Sequence, residues 1–530
     1  MSLCLPQRHC GESGIGMAAE GRRGIADDAG WSFKARGAAA EPGAGLTLAL
    51  FAAFVAVWSA YFAISQAPAS VHNDMAEAYV WGQEFQLGYN QHPPFWAWIC
   101  GVWFSVFPRA GWAFAILGSL NAGIGLLGAW RLIGRFAEGE KRSAATLLLL
   151  LTPFYTFLAY KYNANSIFLS IWPWTLYFFL RSVDGRGLLD AVLFGLCMGL
   201  ALLSKYYALI LAATCLIAAL QHPLRQRYFA SASPYVSAGV AAALCAPHLW
   251  WLLSSGAPPL RYLSRISGRG FDDVAFHAAT AFFGALAQNA LVFAVVAIVA
   301  RPRPSEAAAT IPAQWTNPRF RLLTILATAP LILTVLAGLA LRTKVSTNML
   351  IGTFSLMPLL AIEIAGARRL MRLRAAAAGL AAALSLGALV ASPAVALARA
   401  WYSHDADDVQ PRKELAAAAT SLWREKTGRP LAYVGGTHLY ENGVAFYSPD
   451  RPHGFVHFDF FRNRWVTPQA LAENGLLSVC VKDDADCLAA TAALATPQAT
   501  QTDMTLAHDF WGHKGKPVSF VVTIIPPRGG

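Results

Sequence analysis

The sequence predicts a polytopic α-helical membrane protein with a C-terminal soluble α/β domain. Three observations predict it. Of 530 residues, 56% are hydrophobic and only 14% are charged, where a soluble chain carries about 25% charged residues. Apolar runs of about 20 residues recur up to residue 398, long enough to cross a bilayer as helices. Beyond that point the pattern changes to short strand and helix segments. An outer-membrane barrel would instead alternate over segments of about ten residues.

Residues 1–44 are rich in Gly, Ala and charge, with no apolar period, and read as a disordered cytoplasmic tail or as an over-long start with Met17 as the first residue. No cleavable signal peptide is expected at Met1. About eleven spans follow, near 46–66, 110–134, 144–160, 165–181, 188–203, 206–220, 234–253, 276–300, 321–341, 348–366 and 374–398. The arginine-rich connections 134–142, 181–187, 221–227, 301–321 and 367–374 are assigned to the cytoplasm by the positive-inside rule. With an odd number of spans, residues 67–109 become a first periplasmic loop in a membrane domain of residues 45–398. Residues 399–530 fall on the same side. There LAYVGG, GFVHFD, LLSVCVK and PVSFVVTIIPP read as strands, with helices between them, which predicts a small α/β domain with a largely parallel sheet.

The net charge of +12 sits mainly in those short loops, so nucleic-acid binding is not expected. Cys100, Cys197, Cys215 and Cys245 read as small core residues of the spans, and Cys4 and Cys10 lie in the tail. Cys480 and Cys487 either pair, if their region is periplasmic, or stay as thiols. No cysteine spacing resembles a zinc site.

Chemistry concentrates between His72 and Trp98. Carboxylates at the rim of a membrane span are costly to keep. Asp74 and Glu77 are three residues apart, which on a helix puts both on one face. Such a pair can act as a general base or hold a divalent cation such as Mg or Mn; a solvated juxtamembrane helix accounts for it as well. Tyr79, Trp81, Phe85 and Tyr89 suit an interfacial helix, which His92-Pro93-Pro94 is expected to end. His92 then either donates towards a phosphate or sugar or caps the turn. A second interfacial helix is expected from Phe95 to Phe107. Lys161, Lys205, Arg261, Arg265, Arg269, Arg342 and Lys344 fall on the same side of the membrane; singly they read as headgroup contacts, together as a phosphate site. Asn163 and Asn165 either cap a span or hydrogen-bond a sugar.

These residues resemble the GT-C polyprenyl-phosphate-sugar-dependent glycosyltransferases, in particular the bacterial group related to protein O-mannosyltransferases and the lipid A aminoarabinose transferase. The resemblance rests on Asp74, Tyr79, Trp81 and Gly88-Tyr89-Asn90-Gln91-His92-Pro93-Pro94, on Leu203-Ser204-Lys205-Tyr206, and on Tyr162-Asn163-Ala164-Asn165 followed by Trp172. Two departures stand out. Asp74 and Glu77 are separated where relatives carry neighbouring acids, and asparagine replaces an acid in the second loop, which weighs against a two-carboxylate metal site.

The resemblance implies an inner-membrane enzyme whose donor is a sugar on a polyprenyl phosphate. Asp74 or Glu77 would be the catalytic base, with His92, Lys161, Lys205, Arg342 and Lys344 towards the phosphate. Tyr79, Tyr89, Asn163 and Asn165 would face the sugar or acceptor. The acceptor would be a lipid, glycan or protein hydroxyl, and the outcome inversion. The rival reading is a lipid or polysaccharide transporter or flippase, which intramembrane charges also suit; a lipid-binding assembly subunit is a second. His438, Tyr440, Glu441, Arg451, Arg462 and Arg464 in the tail either help choose an acceptor or serve packing.

Overall fold

A computed structural model describes residues 44–185, 187–302, 304–402 and 409–528; the expected N-terminal tail, with Cys4 and Cys10, lies outside them. The described residues open with α1 (Ala44–Ser65), α2 (Asn73–Glu84), α3 (Phe95–Val106), α4 (Gly111–Ile133), α5 (Gly139–Leu149), α6 (Phe168–Val183), α7 (Leu188–Leu202) and α8 (Ala208–Gln221). Then come α9 (Arg225–Ala230), α10 (Ser233–Ser254), α11 (Pro258–Ile266), α12 (Phe271–Gln288), α13 (Ala290–Ala300), α14 (Pro304–Gln314), α15 (Pro318–Ala340), α16 (Met357–Ile364) and α17 (Leu370–Tyr402). Among the described residues, five helices are long and apolar enough to cross a membrane, or six when α12 and α13, bent by 47°, count as one span. The remaining expected spans are shorter: the apolar run at 144–160 is helical only to Leu149, and residues 150–167 follow a chain of turns. Pro153 has no N–H to continue the ladder.

Within the bundle α4 packs between α1 and α6, α7 lies on α10, and α17 lies on α1 and α5. Trp58 of α1 and Trp172 of α6 are fully buried within the bundle, and Trp96 of α3 is fully buried against Trp81 and His92. The first loop rests on the bundle through its own crossing. A Cβ on Gly101 would stand 2.2 Å from the Gly82 carbonyl oxygen, so α2 and α3 meet backbone to backbone at this pair.

Helix α2 does not reach the prolines. It stops at Glu84, where Phe85 takes the left-handed conformation (φ 44°). The Tyr89 hydroxyl donates back to the Trp81 carbonyl, satisfying an acceptor that the next helical turn would have used. The Pro-Pro pair instead opens α3, with Pro94 at its N-cap.

The C-terminal part adds α18 (Arg412–Thr427), α19 (His438–Tyr447), α20 (Pro468–Asn474) and α21 (Ala485–Leu494). Its strands are β1 (Tyr433–Gly436), β2 (His453–Val456), β3 (Leu476–Val481), β4 (Thr500–Leu506), β5 (Asp509–Phe510), β6 (His513–Lys514) and β7 (Val518–Ile525). The main sheet runs β2-β1-β3-β7-β4. Only β2-β1-β3 is parallel; β7 is antiparallel to both β3 and β4, so the largely parallel sheet expected from the strand–helix alternation is a mixed one. The reason is β4. Its sequence TQTDMTL is polar and half exposed at the sheet edge, and β7 returns beside it after the short β5–β6 hairpin. Helix α18 is an element beyond those expected; it buries Leu415, Ala416, Ala419 and Trp423. Cys480 and Cys487 form a disulfide.

Candidate active site

Asp74 stands in the first turn of α2. His72 caps that turn: its Nδ1 accepts the Asp74 backbone N–H at 3.1 Å and lies 3.6 Å from the Asp74 carboxylate. On the other side, Asp74 Oδ2 is 3.0 Å from Lys161 Nζ and accepts from Asn163 Nδ2 at 3.0 Å. Burial alone would raise the Asp74 pKa, but Lys161, His72 and Asn163 outweigh it and hold it below the usual 3.8. Asp74 is therefore ionised at neutral pH, and its side chain keeps 40% of its surface exposed.

Glu77, one turn on, is the opposite case. Its side chain is only 13% exposed. Burial first, and then repulsion from Asp74, push its pKa up to about 8. It is mostly protonated at neutral pH, with Oε1 3.8 Å from His438 Nε2 of α19. Two carboxyls on one face of one helix are thereby divided into an ionised, accessible group and a neutral, enclosed one, which is how a site separates a base from a bystander.

The two asparagines have definite work. Asn163 Oδ1 accepts the backbone N–H groups of Asn165 (2.9 Å) and Ser166 (3.0 Å), leaving its amide for Asp74. Asn165 Oδ1 accepts from Lys205 Nζ at 2.7 Å. Asp74, Lys161, Asn163, Asn165 and Lys205 thus form one connected set, drawn from three segments of sequence. His92 lies near Lys205 and Asp74; burial first, and then the Lys205 charge, push its imidazole down to about 3, so it is neutral.

Other predicted residues go elsewhere. Tyr79 is 5% exposed, with its ring edge-on to Phe104 and Phe446. Tyr89 is 1% exposed and stacked on Trp81 at 4.9 Å. Both rings are used in packing. Lys344 is 3.3 Å from Asp273, which also meets His277 and Arg269. Arg342 joins that cluster through its carbonyl, which accepts from the Arg269 N–H at 3.3 Å. Neither cation is brought to Asp74 by any of these contacts.

A divalent cation does not suit the Asp74–Glu77 pair. The Asp74 carboxylate already faces an ammonium and an amide N–H, and Glu77 is enclosed near His438, so the pair does not present the free charged oxygens such an ion takes. Among the described residues, no three His, Cys, Asp or Glu side chains gather as a metal site.

Known proteins share both the sequence and the fold around this site. The family profile described as dolichyl-phosphate-mannose-protein mannosyltransferase matches residues 91–251, the stretch that carries His92, Lys161, Asn163, Asn165 and Lys205. The lipopolysaccharide core galacturonosyltransferase RgtB of Rhizobium johnstonii is 29% identical over 322 residues, covering 56% of this chain and 61% of that protein. ArnT from Cupriavidus metallidurans superposes in its apo state with TM-score 0.60, and in a structure bound to undecaprenyl phosphate with TM-score 0.61. Identity is 15% in both; the matches cover 91% and 90% of this chain and 98% of ArnT. By profile, relative and fold the chain is similar to GT-C glycosyltransferases. It is a multi-pass membrane protein with a GT-C-like fold, and at 15% identity the ArnT likeness speaks for the fold alone. The match to RgtB spans about three-fifths of that protein's length. The matched family segment begins after Asp74 and ends before the C-terminal domain, so the two carboxylates are described from geometry alone.

Proposed function

We propose that this GT-C protein is a membrane glycosyltransferase that moves a sugar from a polyprenyl phosphate to an acceptor hydroxyl, with Asp74 as the base. The observation that carries this reading is the ionised Asp74 carboxylate in the same connected set as Lys161 and Lys205. A base and two cations side by side suit a hydroxyl nucleophile and a phosphate leaving group. The acceptor oxygen forms a bond to the anomeric carbon as the bond from that carbon to the phosphate oxygen breaks. The hydroxyl proton passes to Asp74, and the polyprenyl monophosphate departs against the lysines. Their fixed positive charge stabilises charge developing on the leaving oxygen, which is where catalysis by electrostatics is strongest. Attack opposite the phosphate inverts the anomeric centre.

The ArnT structure with undecaprenyl phosphate supports a polyprenyl-phosphate donor. The galacturonosyltransferase relative favours a lipopolysaccharide glycan as acceptor over a protein hydroxyl. The reading places the protein in a bacterial inner membrane with residues 1–44 in the cytoplasm. The first loop (67–109) and residues 399–530 are periplasmic in this reading, and the Cys480–Cys487 disulfide supports an oxidising compartment for the latter. The transporter alternative draws no support from the family, relative or fold matches.

Protein reconstituted with an undecaprenyl-phosphate sugar and lipopolysaccharide should release undecaprenyl phosphate and add one sugar by mass. Asp74→Asn should cut that rate by about 10²–10⁴-fold, the usual contribution of a general base. Transfer at the wild-type rate by Asp74→Asn would refute the assignment. Lipid movement without sugar transfer by the wild-type protein would refute the enzyme.

A further inference from the structure

The five residues between Pro68 and Asp74 are held by the C-terminal domain almost group by group. The Ala69 carbonyl accepts from Lys413 Nζ at 2.8 Å. The Val71 N–H donates to the Tyr447 hydroxyl at 2.7 Å, and its carbonyl accepts from Arg412 Nη1 at 2.7 Å. Arg412 is fully buried, an unusual place for a guanidinium unless its hydrogen bonds are well satisfied. Backbone contacts of this kind would be enough to dock two domains.

Asn73 goes further. It is the residue before Asp74, it is buried, and its side chain is held twice by α19. Asn442 Nδ2 donates to Asn73 Oδ1 at 3.1 Å. The amide N–H₂ of Asn73 consequently faces His438 Nε2, at 3.2 Å, and that nitrogen accepts. The His438 ring is itself stacked on His457, with centroids 5.4 Å apart. Because Asn73 and Asp74 are consecutive in one helical turn, whatever fixes the first side chain fixes the rotation of the turn that carries the second.

We propose that His438 and Asn442 are positioning residues, which act through Asn73 to aim the Asp74 carboxylate at its Lys161 and Asn163 partners. The inference rests on the reading of Asp74 as base. It makes the C-terminal domain part of the catalytic geometry, although its residues lie more than 360 positions away in sequence.

The test compares His438→Leu, which removes the acceptor, with His438→Gln, whose side-chain carbonyl can still accept from Asn73. Both variants lose the ring stack on His457, so a purely structural role would impair them equally. Glu84→Gln serves as the docking control, since it weakens the 2.8 Å contact to His453 at the far end of α2. Expected results are a fall in kcat of about tenfold for His438→Leu and for Asn442→Ala, since small misplacements of a reacting group cost one to two decades. The donor KM should stay within about twofold, and His438→Gln should recover most of the rate. Glu84→Gln should lower the melting temperature and leave kcat near wild type. Equal impairment of the Leu and Gln variants would overturn the proposal, as would activity that tracks melting temperature across all four. Should His438→Leu fail to fold, Asn442→Ala against Glu84→Gln decides by the same criteria. An inactive Asp74→Asn beside fully active His438→Leu and Asn442→Ala would overturn the positioning role alone, whereas an active Asp74→Asn would remove the base reading beneath it.

Discussion

Asp74 Oδ2 and Lys161 Nζ meet at 3.0 Å between the first turn of α2 and the turns that precede α6. This pair both keeps the carboxylate charged and fixes a cation beside it. The lowered Asp74 pKa has a consequence for the pH profile. In the wild type the acid limb of kcat/KM should lie below the ordinary carboxylate value. Lys161→Met removes the largest of the lowering influences, so the acid limb should move to higher pH. A limb that stays in place would mean that Asp74 is not the group being titrated.

Glu77 gives the reverse sign in stability. Its pKa rises from 4.5 unfolded to about 8 folded, so the folded state binds more protons between these values. The stability from this group is fully present below pH 4.5 and is lost as pH rises through about 8. Melting temperatures of the purified protein should fall over that window, and Glu77→Gln should flatten the fall. The same variant should keep activity within about threefold, unlike the 10²–10⁴-fold expected of a lost base.

Lys205 and Lys344, both expected at the phosphate from the amino-acid sequence, differ in their surroundings. Lys205 is held by Asn165 in the connected set, whereas Lys344 is paired with Asp273. Lys205→Met should raise the donor KM by about 10–100-fold, the worth of one charge-assisted hydrogen bond. Lys344→Met should change it by less than about threefold. Donor titrations on both variants check the ordering.

The Cys480–Cys487 bridge closes a short loop, with a sequence separation of 7. Cys487→Ala should lower the stability of the C-terminal domain by about 2 kcal/mol on the chain-entropy account. Alkylation of the intact protein followed by mass spectrometry should find both thiols protected until reduction.

Gly101→Ala should be severe for its size. The new methyl would press on the Gly82 backbone, which cannot yield as a flexible side chain does. A loss of about 1–3 kcal/mol is expected for such overpacking, read as a lower melting temperature with the first loop displaced.

Part of the site is legible in the amino-acid sequence alone. Asp74 and Glu77 stand out because carboxylates beside an apolar span are costly to retain without a chemical use, and Lys205 because it interrupts such a span. The strands of the C-terminal domain are legible where they are buried, as in β3, and not where they are polar and exposed, as in β4. The end of α2 is not legible: prolines are strong local signals, while the left-handed turn at Phe85 depends on Tyr89 folding back onto Trp81. The roles of Tyr79 and Tyr89 in packing likewise follow from their ring neighbours, Phe104 and Phe446 for the first and Trp81 for the second. Asn73 carries no sequence signal, since an asparagine at a helix start has an ordinary local role in capping, and Asn442 lies mid-helix with nothing local to mark it.

The amino-acid sequence by itself determined the class of this protein. Apolar length, loop charge and the acidic first loop are properties of contiguous residues, and hydrophobic burial and charge desolvation act on them locally. Only the tertiary structure decided which carboxylate is ionised, which lysines share its site and which domain holds it in place. Those outcomes depend on burial and on distances of about 3 Å, the hydrogen-bond range, between residues far apart in the chain. Electrostatic and hydrogen-bond energies at that range are set by the packing of the whole chain.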